Sequence, residues 1–496
     1  MIVQNQNPNI KTSIFYINDY HGKAINMERT ITAANGFDSS HKNNETEVDT
    51  FKLSSGDIQL GDNYQTNQLA VIFQNILGIT ASAAGNHEYD LQSKADNIFK
   101  LIKYKLLANN VNIKSGNPFS KQITKNAIIE ERNGHKYGII GASPLDLHQR
   151  SKAGIVQTEV QVLQPKEVLN SIQKEVDNLE AQGINKIILL SHMGYTIDKI
   201  VAQQTKGIDV ILGGHSHDLV EGVKEGENLQ YSKTGEPVII TQGGRDGKNF
   251  GILNIEFDNN GVIKKVQNNI AYTKNFPRYA PVKYIFDKLF GVQETLGYIK
   301  SAPPPLHNDL IEPNGHAYFI TDCVRKDLDC DIAMLSSAYI RGYFEPGKID
   351  TRTIYDILPF RTHLYRVNYS EKDIVDAFKV AAKSFVNISN KPGIFYASGL
   401  KYTVSDKGNL LSMSFVDKNG KESPININNP RTDKFYTTVL NEYCAQGNDG
   451  FKTLYKPDKI LKIYDFSAAK CVEDILKSKK EPVEIKTDDR IKIVHE

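Results

Sequence analysis

Residues 186–217 read KIILLSHMGYTIDKIVAQQTKGIDVILGGHSH. Two β-rich runs lie in this stretch, Lys186 to Leu190 and Asp209 to Leu212. Both stop abruptly at histidine beside glycine: Ser191-His192-Met193-Gly194 after the first, Gly213-Gly214-His215-Ser216-His217 after the second. The same form recurs upstream. Ser13 to Ile17 runs into Asn18-Asp19-Tyr20-His21-Gly22, and Thr50 to Leu53 into Ser54-Ser55-Gly56-Asp57. Ile79 to Ala84 runs into Gly85-Asn86-His87-Glu88-Tyr89-Asp90. In α/β sheets, ligands bind beyond the carboxyl ends of strands, and glycine lets a backbone turn sharply beside a bound group. The five loops can therefore converge on one site.

Further β-rich runs at Ala127 to Glu130, Tyr137 to Ile140 and Val238 to Thr241 complete the first ~270 residues, a layered α/β pattern. Lys166 to Gln182 is the clearest helix between them, with Val168, Ile172, Val176 and Leu179 spaced three to four apart. Asn133-Gly134 reads as a hairpin turn, so the sheets are expected to be mixed rather than purely parallel. From Asn269 to Pro305 the character changes. Pro277, Pro281 and Pro303-Pro304-Pro305 bracket a helix expected at Val282 to Leu296, which together read as a semi-rigid connector. A second α/β region follows, with helices at Ala317 to Lys326 and Glu371 to Phe385 and strands at Gly399 to Val404 and Leu411 to Val416. The expected division is 1–270, a connector at 271–305, and 306–496.

Composition narrows the partners. Sixty Lys plus Arg against 58 Asp plus Glu leave a formal charge of +2, which provides no long-range field for a nucleic acid polymer. No apolar run approaches the ~20 residues of a membrane span. Met1 to Lys11 is polar and lacks the pattern of a signal peptide. The expected location is the cytoplasm, or outside it (secreted or periplasmic) if a leader has been removed. The four cysteines, Cys323, Cys330, Cys444 and Cys471, form no metal-ligand spacing and read as buried free thiols. There is no Trp beside 24 Tyr and 21 Phe, so any aromatic recognition must use Tyr or Phe.

Carboxylate, imidazole and one amide oxygen suit Mn, Zn, Fe, Co or a similar divalent ion, and the lack of cysteine argues against a structural zinc site. Two such ions ~3.5–4 Å apart, bridged by a carboxylate, can activate water and steady a phosphoryl group. Any one of the loops alone reads better as an ordinary hydrogen-bonded turn. Five in this order, each behind a β-run, do not.

Asp19-x-His21, Gly56-Asp57, Gly85-Asn86-His87-Glu88, His192 and Gly214-His215-Ser216-His217 resemble the motif set of the calcineurin-like metallophosphoesterases. Within that group, Asn86 to Asp90 and the chain length resemble the two-domain bacterial 5′-nucleotidases, UDP-sugar hydrolases and 2′,3′-cyclic nucleotide phosphodiesterases. The resemblance implies an N-terminal four-layer α/β/β/α sandwich and a C-terminal α/β substrate-binding domain. It implies one ion held by Asp19, His21, Asp57 and His217, and a second by Asp57, Asn86, His192 and His215. Metal-bound hydroxide would attack phosphorus, with His87 on the phosphate and Asp90 orienting it. The implied activity is hydrolysis of nucleotide phosphate monoesters. The alternatives are a cyclic nucleotide phosphodiesterase/3′-nucleotidase, a nucleotide-sugar hydrolase, or a non-catalytic nucleotide-binding protein. Glu88 is expected to fix the loop by hydrogen bonds. The implied partner is a small nucleotide, and the implied state is a monomer whose second domain rotates about the connector.

In the second half, Asp356-Ile357-Leu358-Pro359-Phe360 and Tyr443 to Phe451 resemble the loops that sandwich a nucleobase, with Asp449 beside the second ring. Ser398 to Tyr402 resembles a structural strand. The family's Asn-Gly-Gly-Gly-Ile-Arg loop here reads Ser336-Ser337-Ala338-Tyr339-Ile340-Arg341, which keeps Arg341 but puts a phenol where the family keeps space. An arginine usual upstream of the first C-terminal helix is missing, and Arg361 is expected either to replace it or to be a solvent-facing charge. The substrate residues are then Arg341, Phe360, Arg361, Tyr443 and Asp449.

Overall fold

A computed structural model of the chain describes residues 9–42, 47–61, 63–91, 95–151, 154–291, 294–306, 310–360, 362–386 and 393–495. It separates into two compact units, Met1–Gly291 and Val292–Glu496.

Among the described residues, fifteen strands build the first unit. In chain order they are β1 Ile10–Ile17, β2 Asp49–Ser54, β3 Ala81–Ala83, β4 Lys105–Leu107, β5 Val111–Ile113, β6 Ile123–Thr124, β7 Ile128–Arg132 and β8 His135–Ala142. There follow β9 Val160–Val162, β10 Ile187–Ser191, β11 Val210–Leu212, β12 Leu229–Tyr231, β13 Pro237–Thr241, β14 Asn249–Phe257 and β15 Ile263–Tyr272. One large sheet runs β15-β14-β1-β2-β3-β4-β6, a second runs β12-β13-β11-β10-β8-β7, and β5 and β9 pair as a small separate ribbon. Both large sheets are mixed. β1 lies parallel to β2 but antiparallel to β14, and β8 lies parallel to β10 but antiparallel to β7. The Asn133-Gly134 turn joins β7 to β8, and both its residues have positive φ, as a tight hairpin requires.

Alternation along the strands explains the layers. Ile14 and Tyr16 of β1 meet Ile188 and Leu190 of β10 in a core between the two sheets. The intervening Phe15 turns outward, its ring 5.7 Å from Phe37 of the helix Ala24–Lys42. On the other sheet Ile187 and Leu189 turn outward onto Val168, Ile172, Val176 and Leu179 of the helix Pro165–Glu180. The period of two in the strands and of 3.6 in the helix thus bury complementary faces. The result is the α/β/β/α sandwich.

The stretch expected as a connector is shared between the units. Its helix, Ala280–Phe290, falls in the first unit, and the strand Thr295–Ser301 falls in the second. The expected helix to Leu296 is corrected: Gly291, at φ +83°, stops it, and Leu296 is a buried strand residue.

The second unit is also α/β. A five-stranded sheet takes the order Phe395–Ser398, Ile332–Ser336, Phe435–Asn441, Leu364–Ser370 and Ile460–Tyr464. The chain leaves it at Gly399 for a four-stranded sheet that begins with Leu400–Ser405. The helix expected at Glu371 to Phe385 is α-helical through Ala382 and finishes in a 3-10 turn, Lys383–Phe385. All four cysteines are buried free thiols. Among the described residues no helix is long and apolar enough to cross a membrane.

One close approach in the first sheet requires a glycine. A Cβ on Gly251 of β14 would lie 1.9 Å from the Tyr16 ring of β1. The Tyr16 hydroxyl is buried and bonded to Thr241 and Asn268, so the ring has nowhere to go. Gly251→Ala is expected to lower stability by about 1–3 kcal/mol, the usual cost of overpacking, read as a lower denaturant midpoint at unchanged m-value.

Candidate metal centre

Five strands end at one place. β1 delivers Asp19 and His21, β2 delivers Asp57, β3 delivers Asn86 and His87, β10 delivers His192, and β11 delivers His215 and His217. Ligand atoms of Asp19, His21 and His217 lie within 4.8 Å of one another, as do those of Asp19, Asp57 and His192 and those of His21, Asp57 and His87. His217 Nε2 is 3.3 Å from Asp19 Oδ1, and His192 Nε2 is 3.1 Å from Asp57 Oδ2. Asn86 and His215 join beside them, with His215 Nδ1 3.1 Å from Asn86 Oδ1. The His192 and His215 ring centroids are 5.2 Å apart.

The backbone there is strained. Among the described residues, eight non-glycine residues have positive φ, and Asp19, His21, Asp57, His215 and His217 are five of them. Left-handed backbone costs an L-residue about 1–2 kcal/mol. Such strain persists where the surrounding structure over-determines it, which is characteristic of functional sites.

The donor set fits divalent ions. His192 is fully buried, and its Nε2 makes no hydrogen bond. Burial alone would raise the Asp57 carboxyl, but the His192 and His87 imidazoles outweigh it and hold Asp57 well below the usual range. Asp19 is likewise lowered against its burial, chiefly by His192 and His217. Burial would lower His192, yet Asp57 and Asp19 push it up to about 10. Two ionised carboxylates at full burial demand positive charge, which a proton on His192 supplies in part and divalent cations supply better.

His87 stands at the rim, its side chain 18 % exposed. Its Nδ1 is 2.5 Å from Asp90 Oδ2, and its Nε2 lies 4.0 Å from Asp57 Oδ2. Asp90 Oδ2 also accepts from the Gly61 N–H at 3.1 Å, which fixes the carboxylate. Glu88 is a staple. Its Oε2 accepts the N–H groups of Asp57 and Gly85, both at 2.8 Å, and its Oε1 accepts those of Ile58 and Gln59 at 3.0 and 3.3 Å. It locks the β2 and β3 loops in register, the role its sequence position implied. Burial, then the nearby Asp57 carboxylate, raise Glu88 to about 7 against the pull of these donors.

Sequence reasoning missed two carboxylates. Asp146, beyond β8, has Oδ1 3.0 Å from His215 Nε2. Asp246, beyond β13, has Oδ1 3.1 Å from His21 Nδ1. Both follow β-runs that were legible; Asp146-Leu147-His148 repeats the Asp-x-His form of Asp19-x-His21 and was a signal that could have found Asp146, whereas Asp246 has no histidine near it. Asn18 is a smaller omission, its Nδ2 donating to Asp19 Oδ2 at 2.8 Å.

In the second unit, Tyr339 and Phe360 stack with centroids 5.8 Å apart and planes 27° from parallel. The Tyr339 hydroxyl donates to the Phe360 carbonyl at 3.2 Å. Arg341 puts its guanidinium carbon 5.6 Å from the Phe360 centroid, and its Nε donates to the Ala338 carbonyl at 2.7 Å. The phenol at 339 thus backs Phe360. Tyr443 lies on the short helix Glu442–Ala445, directly after the strand Phe435–Asn441. The Phe360 loop enters the neighbouring strand, whose Leu364 pairs with Asn441. His363 is tied to Glu442, Nδ1 to Oε2 at 3.2 Å. Arg361 lies outside the described residues, as does the side chain of Asp449.

The calcineurin-like phosphoesterase profile matches residues 12–219, and the 5′-nucleotidase C-terminal domain profile matches residues 298–456. The chain belongs to the calcineurin-like phosphoesterases that carry a 5′-nucleotidase C-terminal domain. A probable 5′-nucleotidase of Treponema pallidum is 25% identical over 89% of this chain and 87% of its own length. The trifunctional nucleotide phosphoesterase YfkN of Bacillus subtilis is 24% identical over 88% of this chain, which spans only 32% of that relative. The crystal structure of a 5′-nucleotidase precursor from Thermus thermophilus superposes with a TM-score of 0.77 at 22% identity, covering 98% of this chain and 99% of that one. At that identity the likeness establishes the fold.

Asp198 offers a pH test of the wall behind His192. It is fully buried, bonded to Ser191, and its Oδ2 has no partner. Burial raises its carboxyl to about 8. The folded state therefore holds a proton that the unfolded chain releases near 4, so this stabilisation is present at low pH and is lost as pH rises through about 8. Asp198→Asn, which mimics the neutral acid, is expected to gain on wild type between pH 5 and pH 8 by at least about 1 kcal/mol. Denaturant melts across that range give the difference, and parallel curves would refute the assignment.

Proposed function

We propose that the protein is a two-metal hydrolase that cleaves the phosphate monoesters of nucleotides. The observation that carries this reading is the convergence of Asp19, Asp57, Asn86, His21, His192, His215 and His217 at one buried point, with the His87–Asp90 pair at its rim.

Asp19, His21, Asp57 and His217 would hold one ion, and Asp57, Asn86, His192 and His215 the other, with Asp57 shared between them. Mn, Zn, Fe or Co suits these ligands. When bound, the ions supply Lewis acidity that activates a water and neutralises phosphoryl oxygens. The protein does the rest. Its buried carboxylates and left-handed loops hold the donors in place before substrate arrives. Asp90 on Nδ1 fixes the His87 ring so that Nε2–H points at the centre, where it can donate to a phosphoryl oxygen as negative charge develops. The Asp90 carboxylate also stabilises the imidazolium form of that ring.

In the second unit, Phe360 backed by Tyr339 supports a flat ring, and Tyr443 on the adjoining strand end is proposed as its counterpart. Arg341, Arg361 and Asp449 are proposed for the polar groups of the nucleotide. The small ligand makes a polymer or membrane partner unnecessary, and a monomer suffices. The name of the Bacillus subtilis relative, a trifunctional nucleotide phosphoesterase, supports testing more than one class of nucleotide phosphoester. A purely binding protein would have no use for the His87–Asp90 pair.

Inorganic phosphate release from a panel of 5′- and 3′-nucleotides, 2′,3′-cyclic nucleotides and UDP-sugars, with Mn added, tests the reading. Turnover of at least one nucleotide is expected. Metal bound without turnover of any phosphoester would establish the binding reading instead. His87→Ala is expected to lower kcat by roughly 10²–10³, the usual loss for one preorganised donor, with metal content by elemental analysis unchanged. Phe360→Ala is expected to raise KM for nucleotides about tenfold or more, the equivalent of ~1–3 kcal/mol of stacking. Hydrolysis of glycerol phosphate, which has no ring, should not change.

A further inference from the structure

Each imidazole of the centre has two nitrogens, and only the one carrying a lone pair can bind a metal. Which one that is depends on what the other nitrogen donates to. His192 Nδ1 is 2.6 Å from the Ser55 carbonyl, which can only accept, so Nδ1 keeps its proton and Nε2 is the nitrogen left for a metal. His21 Nδ1 faces Asp246, so its Nε2 is free to look inward, 3.8 Å from Asp19 Oδ1 and 3.7 Å from Asp57 Oδ2. His215 is reversed. Its Nε2 lies 3.0 Å from Asp146 Oδ1, a buried oxygen that meets no aligned donor, and its Nδ1 looks inward at Asn86 Oδ1. With the proton on Nε2, the lone pairs of His215 Nδ1 and Asn86 Oδ1 meet at 3.1 Å, a geometry that a shared cation satisfies.

We propose that Asp146 and Asp246 are positioning residues that set the tautomers of two ligating histidines in opposite senses, Asp146 selecting Nδ1 of His215 and Asp246 selecting Nε2 of His21. This rests on the two-metal reading. Each carboxylate is itself anchored. Arg150 Nε donates to Asp146 Oδ2 at 2.8 Å, leaving Oδ1 for the imidazole. Asp246 is 5 % exposed, with left-handed backbone at φ +59°. Its N–H donates to the Asp19 carbonyl at 2.6 Å, and Arg245 Nε stands 3.6 Å from its Oδ2. The two serve different ions of the proposed pair, because His215 and His21 belong to different ligand sets. A carboxylate partner raises the basicity of a ligating imidazole as well as holding its orientation, and removing such a partner typically costs 10–100-fold in metal affinity.

The test is metal binding, not turnover. Metal-stripped full-length protein is titrated with Mn(II), free ion being followed by electron paramagnetic resonance, and with Co(II), followed by its visible absorption. Asp146→Ala and Asp246→Ala are each expected to weaken one of two ions by 10–100-fold and to alter the Co(II) spectrum. Asp146→Asn and Asp246→Asn keep an acceptor oxygen and should lie closer to wild type, which also provides folded variants if the alanines fail. In a His215→Ala background, Asp146→Ala should cost nothing further, since the ring it serves is gone. Wild-type affinities for both ions in Asp146→Ala, or the same loss with and without His215, would overturn the proposal. Wild-type protein that takes up fewer than two ions would overturn the two-metal reading beneath it.

Discussion

Two carboxylates, Asp19 and Asp57, are buried completely and face the same imidazoles. Isolated, neither could stay ionised in such a place, because burial strongly disfavours charge. They are held charged by the histidines around them, and those histidines must arrive from elsewhere in the chain. Much of the first unit follows from this. Two sheets supply donors from opposite sides, and five of the donor residues accept left-handed backbone to reach inward. Glu88 ties the two loops that carry Asp57 and Asn86 into one piece through four backbone N–H groups. The strain of those loops is a local cost of several kcal/mol, on the order of 1 kcal/mol or more per residue, and the large sandwich core around them is what sustains it.

The strand bodies and the ligands at their ends were legible because the two signals are independent and agree. β-rich runs mark the strands, and polar groups beside glycine mark the turns. Glu88 was legible in role through the resemblance, which includes it in the motif without making it a ligand and so leaves it to fix the loop. Asp146 and Asp246 were not. Asp246 has no histidine near it, Asp146 is followed by His148 but serves another ring, and the partners of both, His21 and His215, are remote in sequence, so only the folded chain joins them. The connector helix was legible in place but not in length. Leu296 continues its apolar periodicity, yet Gly291 stops it and the residue serves a strand instead.

The second unit reads differently because its rings sit in loops, where periodicity says nothing. The unusual Tyr339 looked like an obstruction from sequence. In the fold it lies behind Phe360, stacked on it and bonded to its carbonyl, which braces that ring from one side. Its position follows from register. Ile332–Ser336 and Phe435–Asn441 run parallel and adjacent, so the loops beyond them emerge at the same end of the sheet. The braced ring and the Tyr443 helix are brought to one rim by pairing that no local motif encodes.

The pairing of β1 with β14 has a consequence for how the protein is born. His21 and Asp246 are 225 residues apart, and β1 finds its antiparallel neighbour only when residues 249–257 have emerged. At ~5–20 residues per second, the ribosome exposes β1 for on the order of ten seconds or more before that edge is covered. For all of that interval the first acids and imidazoles of the centre are in water without most of their eventual neighbours. Ions captured then would meet a loose chelator, not a rigid cage. The full donor geometry therefore exists only after β14 has paired with β1, and long-range closure of this kind is intrinsically slow.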